Sequence, residues 1–267
     1  MNCDRKLRTL GSLIVVLVLV VAPALAGSGD DCDGWQEDHD WGNKGLYCET
    51  RELSLAATGS VAVDAGHNGG IRVQGADQGD IDLEARIQVW HRSEDQAREI
   101  ARQIEILTDS NRIQADGPDD EGWAVSYRLR VPRQTDLALE AHNGGISIAE
   151  VTGQLRAETH NGGLSLTALA GDVQAETTNG GVHVDLAGDS WEGKGLDVET
   201  RNGGVKVSIP EDYSAELETG TVNGRVNIDF PVTVQGQIGR SIETTLGNGG
   251  APIRVKTKNG GVTISHQ

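Results

Sequence analysis

Glu140, His142, Glu158 and His160 are the residues of this chain best placed by type and spacing to do chemistry. Each Glu stands three residues before an Asn-Gly-Gly triplet, and each His one residue before it. Carboxylates and imidazoles two apart on a strand share a face, and neighbouring strands lie about 4.8 Å apart. Two carboxylates and two imidazoles in one outward patch could hold a divalent cation. The same pattern also suits a solvated outer face whose charges discourage edge-to-edge aggregation. A second acidic group comprises Asp30, Asp31, Asp33, Glu37, Asp38 and Asp40, with Trp35, His39 and Trp41 interleaved. It could attract calcium, but its spacing fits no EF-hand loop, and an acidic arm is the simpler reading.

No other grouping rises to a reaction. The chain has no phosphate-cradling Gly-x-x-x-x-Gly-Lys loop, no Gly-x-Ser-x-Gly elbow and no His-Glu-x-x-His zinc pair. Trp90, Trp123 and Trp191 could stack on sugar rings, or pack the body of the protein. A glycan-cleaving enzyme needs two carboxylates converging on a groove, whereas Glu140, Glu158, Glu176 and Glu199 recur at regular intervals. The sequence therefore assigns no catalytic residue and no cofactor.

The elements that would position these groups are written in a repeat. Asn-Gly-Gly begins at Asn68, Asn143, Asn161, Asn179, Asn202, Asn248 and Asn259, with a degenerate copy at Asn223. Six residues before the Asn stand Leu137, Leu155, Val173, Leu196, Leu217, Ile242 and Ile253. Three after it come aliphatic residues such as Ile146, Leu164 and Val182, and five after it Ile148, Leu166 and Val184. Polar residues fill the places between, so each unit reads as a strand, a tight corner and a second strand with one buried face. Asn-Gly is a strong turn signal because both residues tolerate positive φ. One unit cannot bury its apolar side alone, so units must stack. The near-constant period over 137–209 favours an all-β solenoid-like stack over an antiparallel sandwich, with Asn143, Asn161, Asn179 and Asn202 lined up as a turn ladder. Narrow aliphatic columns and a single Phe agree with that.

An insertion at about 76–135 interrupts the repeat. Ile81 to Trp90 alternates as a strand, and Ser93 with Gln96 forms a capping box for a helix over about 93–106. Ala97, Ile100, Ala101 and Ile104 give that helix an apolar side, suited to covering an open end of the stack. Strands return at Arg112 to Gln114 and Trp123 to Val131.

The chain's opening residues read as an export signal. Arg5, Lys6 and Arg8 precede an apolar run from Leu13 to Val21, and Ala24-Leu25-Ala26 offers a cleavage site, so residues 1–26 are expected to be removed. The run is short for the ~20 residues a membrane span requires. Cleavage takes the formal charge of −17 to −19, since three basic residues and one acidic residue leave. So acidic a chain repels nucleic acid, and no stable membrane insertion is expected afterwards. Cys32 and Cys48 are the cysteines that remain, and a disulfide between them would tie down the acidic arm at 27–50 and stabilise by ~3 kcal/mol. The repeat domain is expected over 51–267.

The segment Cys48-Glu49-Thr50-Arg51-Glu52-Leu53, then Val61-Ala62-Val63-Asp64, then the Asn-Gly-Gly-aliphatic-x-aliphatic units resemble the toast-rack family, an adhesin-like domain of unknown function. The resemblance covers about residues 46–267. It implies an exported or membrane-linked bacterial protein of stacked strands, and carries no catalytic residues with it; some members are tied to envelope-stress sensing. The resulting expectation is a non-enzymatic, adhesin-like scaffold or binding module, periplasmic or extracellular, meeting an envelope or extracellular protein or glycan. A polysaccharide-binding or polysaccharide-processing β-helix is the alternative, and an envelope-stress component a third.

Overall fold

A computed structural model describes residues 45–119, 122–230 and 240–267. The export signal, Cys32 and the acidic group at 30–40 lie outside the described residues. Strands β1 (Gly45–Ala56), β2 (Ser60–Asp64), β3 (Ile71–Ala76) and β4 (Asp80–His91) come first, then helix α1 (Glu94–Gln103). Next are β5 (Glu105–Asp109), β6 (Arg112–Asp116) and β7 (Trp123–Pro132). The central coils pair β8 (Asp136–Ala141) with β9 (Ile146–Ala149), β10 (Thr152–Thr159) with β11 (Leu164–Thr167), and β12 (Ala170–Asn179) with β13 (Val182–Asp185). They continue through β14 (Gly193–Asn202) and β15 (Val205–Ile209), then β16 (Ala215–Asn223) and β17 (Val226–Ile228). The chain closes with β18 (Ser241–Leu246), β19 (Pro252–Asn259) and β20 (Val262–His266).

These strands build two ten-stranded sheets, and every coil gives one strand to each. The first sheet runs β1-β4-β7-β3-β9-β11-β13-β15-β20-β17, the second β18-β16-β19-β14-β12-β10-β8-β2-β6-β5. The centre is parallel and in register: Leu155 faces Leu137 on one side and Val173 on the other, and Leu164 faces Ile146 and Val182. The aliphatic columns point inward, where Leu139, Leu155, Leu166, Val184 and Val198 are buried. This is the solenoid-like stack that the repeat predicted.

The corners carry a row of asparagine amides, and the physical reason for the glycines beside them is not turn conformation. Side-chain amides link Asn68, Asn143, Asn161, Asn179, Asn202, Asn259 and Asn223 in a row, each Nδ2 from Asn143 onward donating to the Oδ1 of the asparagine before it at 2.7–3.1 Å. None of these asparagines has positive φ. The opposite corners do hold left-handed residues, Glu150 (φ 56°) and Ala168 (φ 50°). What the corner demands is the absence of a side chain: a Cβ on Gly162 would lie 2.0 Å from the Gly144 carbonyl oxygen. Glycine is required there by the closeness of stacked backbones.

Two triplets change rank. The degenerate Asn223 is a true corner, whereas Asn248 is not, because it lies in the loop joining β18 to β19. Five of the corners also carry a Thr two before the Asn, where the first two have Gly66 and Ala141. Thr159, Thr177, Thr200, Thr221 and Thr257 turn inward and donate to a glycine carbonyl of the adjoining coil at 2.8–3.0 Å. Asn248 has Leu246 there.

The order of the last coils also departs from the order in sequence. β19 pairs with β14 and with β16, and β20 with β15 and β17, so the final coil sits between the two before it. Antiparallel β18 then edges β16.

At the other end, β1 and β4 extend the first sheet, and α1 covers its inner side with Ala97, Ile100 and Ala101 buried. Ser93 caps the helix by accepting from the Gln96 amide at 3.4 Å. The helix stops at Gln103, earlier than its sequence pattern suggests, because Ile104 is extended and Glu105 already belongs to β5. Arg51 from β1 donates to the Ala101 carbonyl at 2.8 Å and to that of Ile104, satisfying the helix's last acceptors.

The inserted coil carries a measurable charge contact. Glu218 of β16 meets Lys256 and, at 3.0 Å, Arg254 of β19. The Lys256 hydrogen bond holds the Glu218 carboxyl below its ordinary value of 4.5, with the Arg254 hydrogen bond adding to the effect. The unfolded chain then takes up that proton more readily, so the contribution is complete above the ordinary value and disappears as pH falls through the lowered one. Thermal melts from neutral pH to below 4 should show wild type losing stability faster than Glu218→Gln, by about 0.5 kcal/mol for so exposed a contact. Parallel curves would refute this.

Candidate functional site

The period of two that buries one side of each strand sends the other to solvent. On the second sheet this builds a row: Asp64, Glu140, Glu158, Glu176 and Glu199 stand directly opposite one another in register, ended by Lys256. Glu158 is engaged by Arg156, and Asp64 by Arg112 at 3.0 Å. Among the described residues Glu140, Glu176 and Glu199 show no ion pair.

Two residues nearer the corner runs a row of imidazoles. His142 and His160 stack with ring centroids 4.9 Å apart and planes within 3°, and His67 meets His142 edge-on at 5.4 Å. The structure thus brings Glu140 beside Glu158 and His142 beside His160. Among the described residues, no three His, Cys, Asp or Glu side chains converge on one point able to hold a metal ion in this geometry. His67, which the sequence placed at the same position before its Asn, completes the row.

A shallow depression of about 440 Å³ adjoins the acidic row. Its floor is made by the small residues Ala62 and Ala138, and its walls by Arg156, Gln154, Gln174 and the Ser110–Asn111 turn. A smaller one of about 180 Å³ lies between Arg156, Glu158, Gln174, Glu176, Asp197 and Glu199. Sequence reasoning missed the first, because it needs the β5–β6 turn brought from the insertion.

Trp191 and Trp123 go to packing. Trp191 is buried and donates to the Gly171 carbonyl at 3.0 Å, plugging the corner opposite the ladder. Trp123 donates to the Pro118 carbonyl at 2.9 Å. Cys48 is buried on β1; its proposed pairing with Cys32 reaches outside the described residues. No helix among the described residues is long and apolar enough to cross a membrane.

Two parallel-centred sheets joined by a glycine corner, with an amide ladder at one edge and a charged row on one face, define a stacked-coil β protein. Residues 75–265 match the model of the Toastrack DUF4097 family, and the chain belongs to that family. No curated protein matches it. Among solved structures it is similar to a "putative cell adhesion protein" from Clostridium sporogenes, at 12% identity and a TM-score of 0.43, covering 82% of this chain and 100% of that one. A "putative adhesin" from Bacteroides fragilis is similar at 11% identity and a TM-score of 0.39, covering 82% and 97%. A "putative lipid binding protein" from Parabacteroides distasonis follows at 9% identity and 0.34, covering 82% and 96%.

Proposed function

We propose that this chain is a non-enzymatic, exported, adhesin-like binding module of the bacterial envelope, and that its acidic row meets a cationic partner. The observation that carries this reading is the in-register line Asp64-Glu140-Glu158-Glu176-Glu199. Carboxylates held at strand spacing on a rigid sheet cost little to order on binding, which favours recognition over a length. The overall charge of −17 supports the same sign of partner and speeds its approach. The row offers no nucleophile set against a base, and its carboxylates repeat side by side.

Polylysine is the probe. Wild type should bind it at low salt and release it as salt rises, because exposed charges are screened over about 10 Å at 0.1 M. Glu158→Lys with Glu176→Lys should weaken binding about tenfold or more, while reversal of Glu243, on the edge strand β18, should not. Equal loss from both would remove the row from the reading.

The amide-lined depression with Asn111, Gln154 and Gln174 favours a second reading, a glycan ligand. Incubation with cell-wall and acidic polysaccharides separates the cases. Binding without turnover supports a glycan-binding module, and release of new reducing or unsaturated ends overturns the non-enzymatic assignment.

A further inference from the structure

The imidazole row is a separate feature from the carboxylate row, and stands whether or not the acidic face binds a cationic partner. Three histidines occupy one position on adjoining coils, all exposed, with centroids at 5.4 and 4.9 Å. Their backbones are fixed by the ladder: the His142 amide donates to the Gly66 carbonyl at 3.2 Å, the His160 amide to that of Ala141 at 3.2 Å, and the neighbouring asparagines are bonded at 3.1 and 2.8 Å. Only the side chains are free to move.

We infer that His67, His142 and His160 form a surface site for a late first-row divalent transition-metal ion, with His142 as the ligand shared by two possible pairs. Neutral imidazole suits copper(II), nickel(II) and zinc(II), and affinity at such a site peaks at copper. With metal–nitrogen distances of about 2.0–2.1 Å, two ligand nitrogens can stand up to about 4.2 Å apart. The two rings are stacked with centroids 4.9 Å apart, so their in-plane nitrogen lone pairs run along parallel planes. Both exposed side chains must rotate to bring two nitrogens onto one metal, a motion that leaves the coils in place. His67, edge-on to His142, approaches from the other flank. Glu140, two residues before His142 and without an ion pair among the described residues, adds negative charge beside the site. That helps any cation but selects none, so the choice of metal rests on the nitrogens.

The test titrates the folded protein with copper(II) chloride, followed by calorimetry and by the nitrogen hyperfine pattern in electron paramagnetic resonance. One equivalent bound through at least two imidazoles is expected. His142→Ala should weaken binding about tenfold or more, because it breaks both pairs. His160→Gln should give a smaller loss, and His183→Ala on the other sheet none. Melting curves without metal should be the same for all three, which keeps a folding defect from passing as a lost ligand. The inference is overturned if His142→Ala binds copper as tightly as wild type, or if calcium(II) displaces copper at equal concentration, which would put the cation on the carboxylates.

Discussion

Gly180→Ala is expected to destabilise the protein by about 4 kcal/mol or more, whereas Gly181→Ala, one residue on, should change stability by no more than about 0.5 kcal/mol. A Cβ on Gly180 would sit 1.9 Å from the Gly162 carbonyl oxygen and 2.5 Å from its carbon. Both are backbone atoms pinned in the stack, so neither can yield. A Cβ on Gly181 meets nothing nearer than the Gly204 carbonyl oxygen at 3.6 Å, an ordinary contact. Neither glycine has positive φ, so the contrast isolates steric stacking from conformational freedom. Urea denaturation of the two variants measures it. Similar losses at both positions would show that turn conformation, and not the approach of coil to coil, sets the requirement.

Leu166→Ala should cost about 2–5 kcal/mol. Leu166 is 1% exposed and lies between Ile148 and Val184 in the middle of the first sheet. Its neighbour Ser165 points outward, and Ser165→Ala should stay within about 0.5 kcal/mol. The effect should have a second signature. In a stack each coil is stabilised chiefly by the coils beside it, so a cavity at the centre weakens the link between the two halves. The urea transition of Leu166→Ala should broaden or divide, with a smaller slope than wild type. A sharp transition of unchanged slope, merely shifted, would argue for a core that unfolds as one block.

How much of this was legible depended on whether a feature is periodic. The aliphatic places six before and three and five after each Asn, and the acidic place three before it, follow directly from strand alternation. Leu155, Leu164, Leu166 and Glu158 consequently stand where their spacing put them. The Asn-Gly-Gly spelling did not by itself mark a corner: Asn223, without the second Gly, is one, and Asn248, with it, lies in a loop. The bonds from Thr159 and Thr177 to glycine carbonyls of the adjoining coil could not be read from spacing. The order of the coils could not be read, because Leu196, Ile253 and Leu217 are interchangeable aliphatic residues in a common column. The depression beside Ala62 and Ala138 was hidden for a related reason, since its wall at Asn111 arrives from a distant part of the chain.

The interleaved final coil has a consequence for when the protein can become native. Residues 252–266 follow both neighbouring coils in sequence, yet they fill the slot between β14 and β16 and between β15 and β17. The earlier coils can zip together from Asn68 to Asn202, but the segment around Asn223 has no finished surface to join until β19 and β20 are in place. Completion of this end of the stack therefore waits for the later coil to insert.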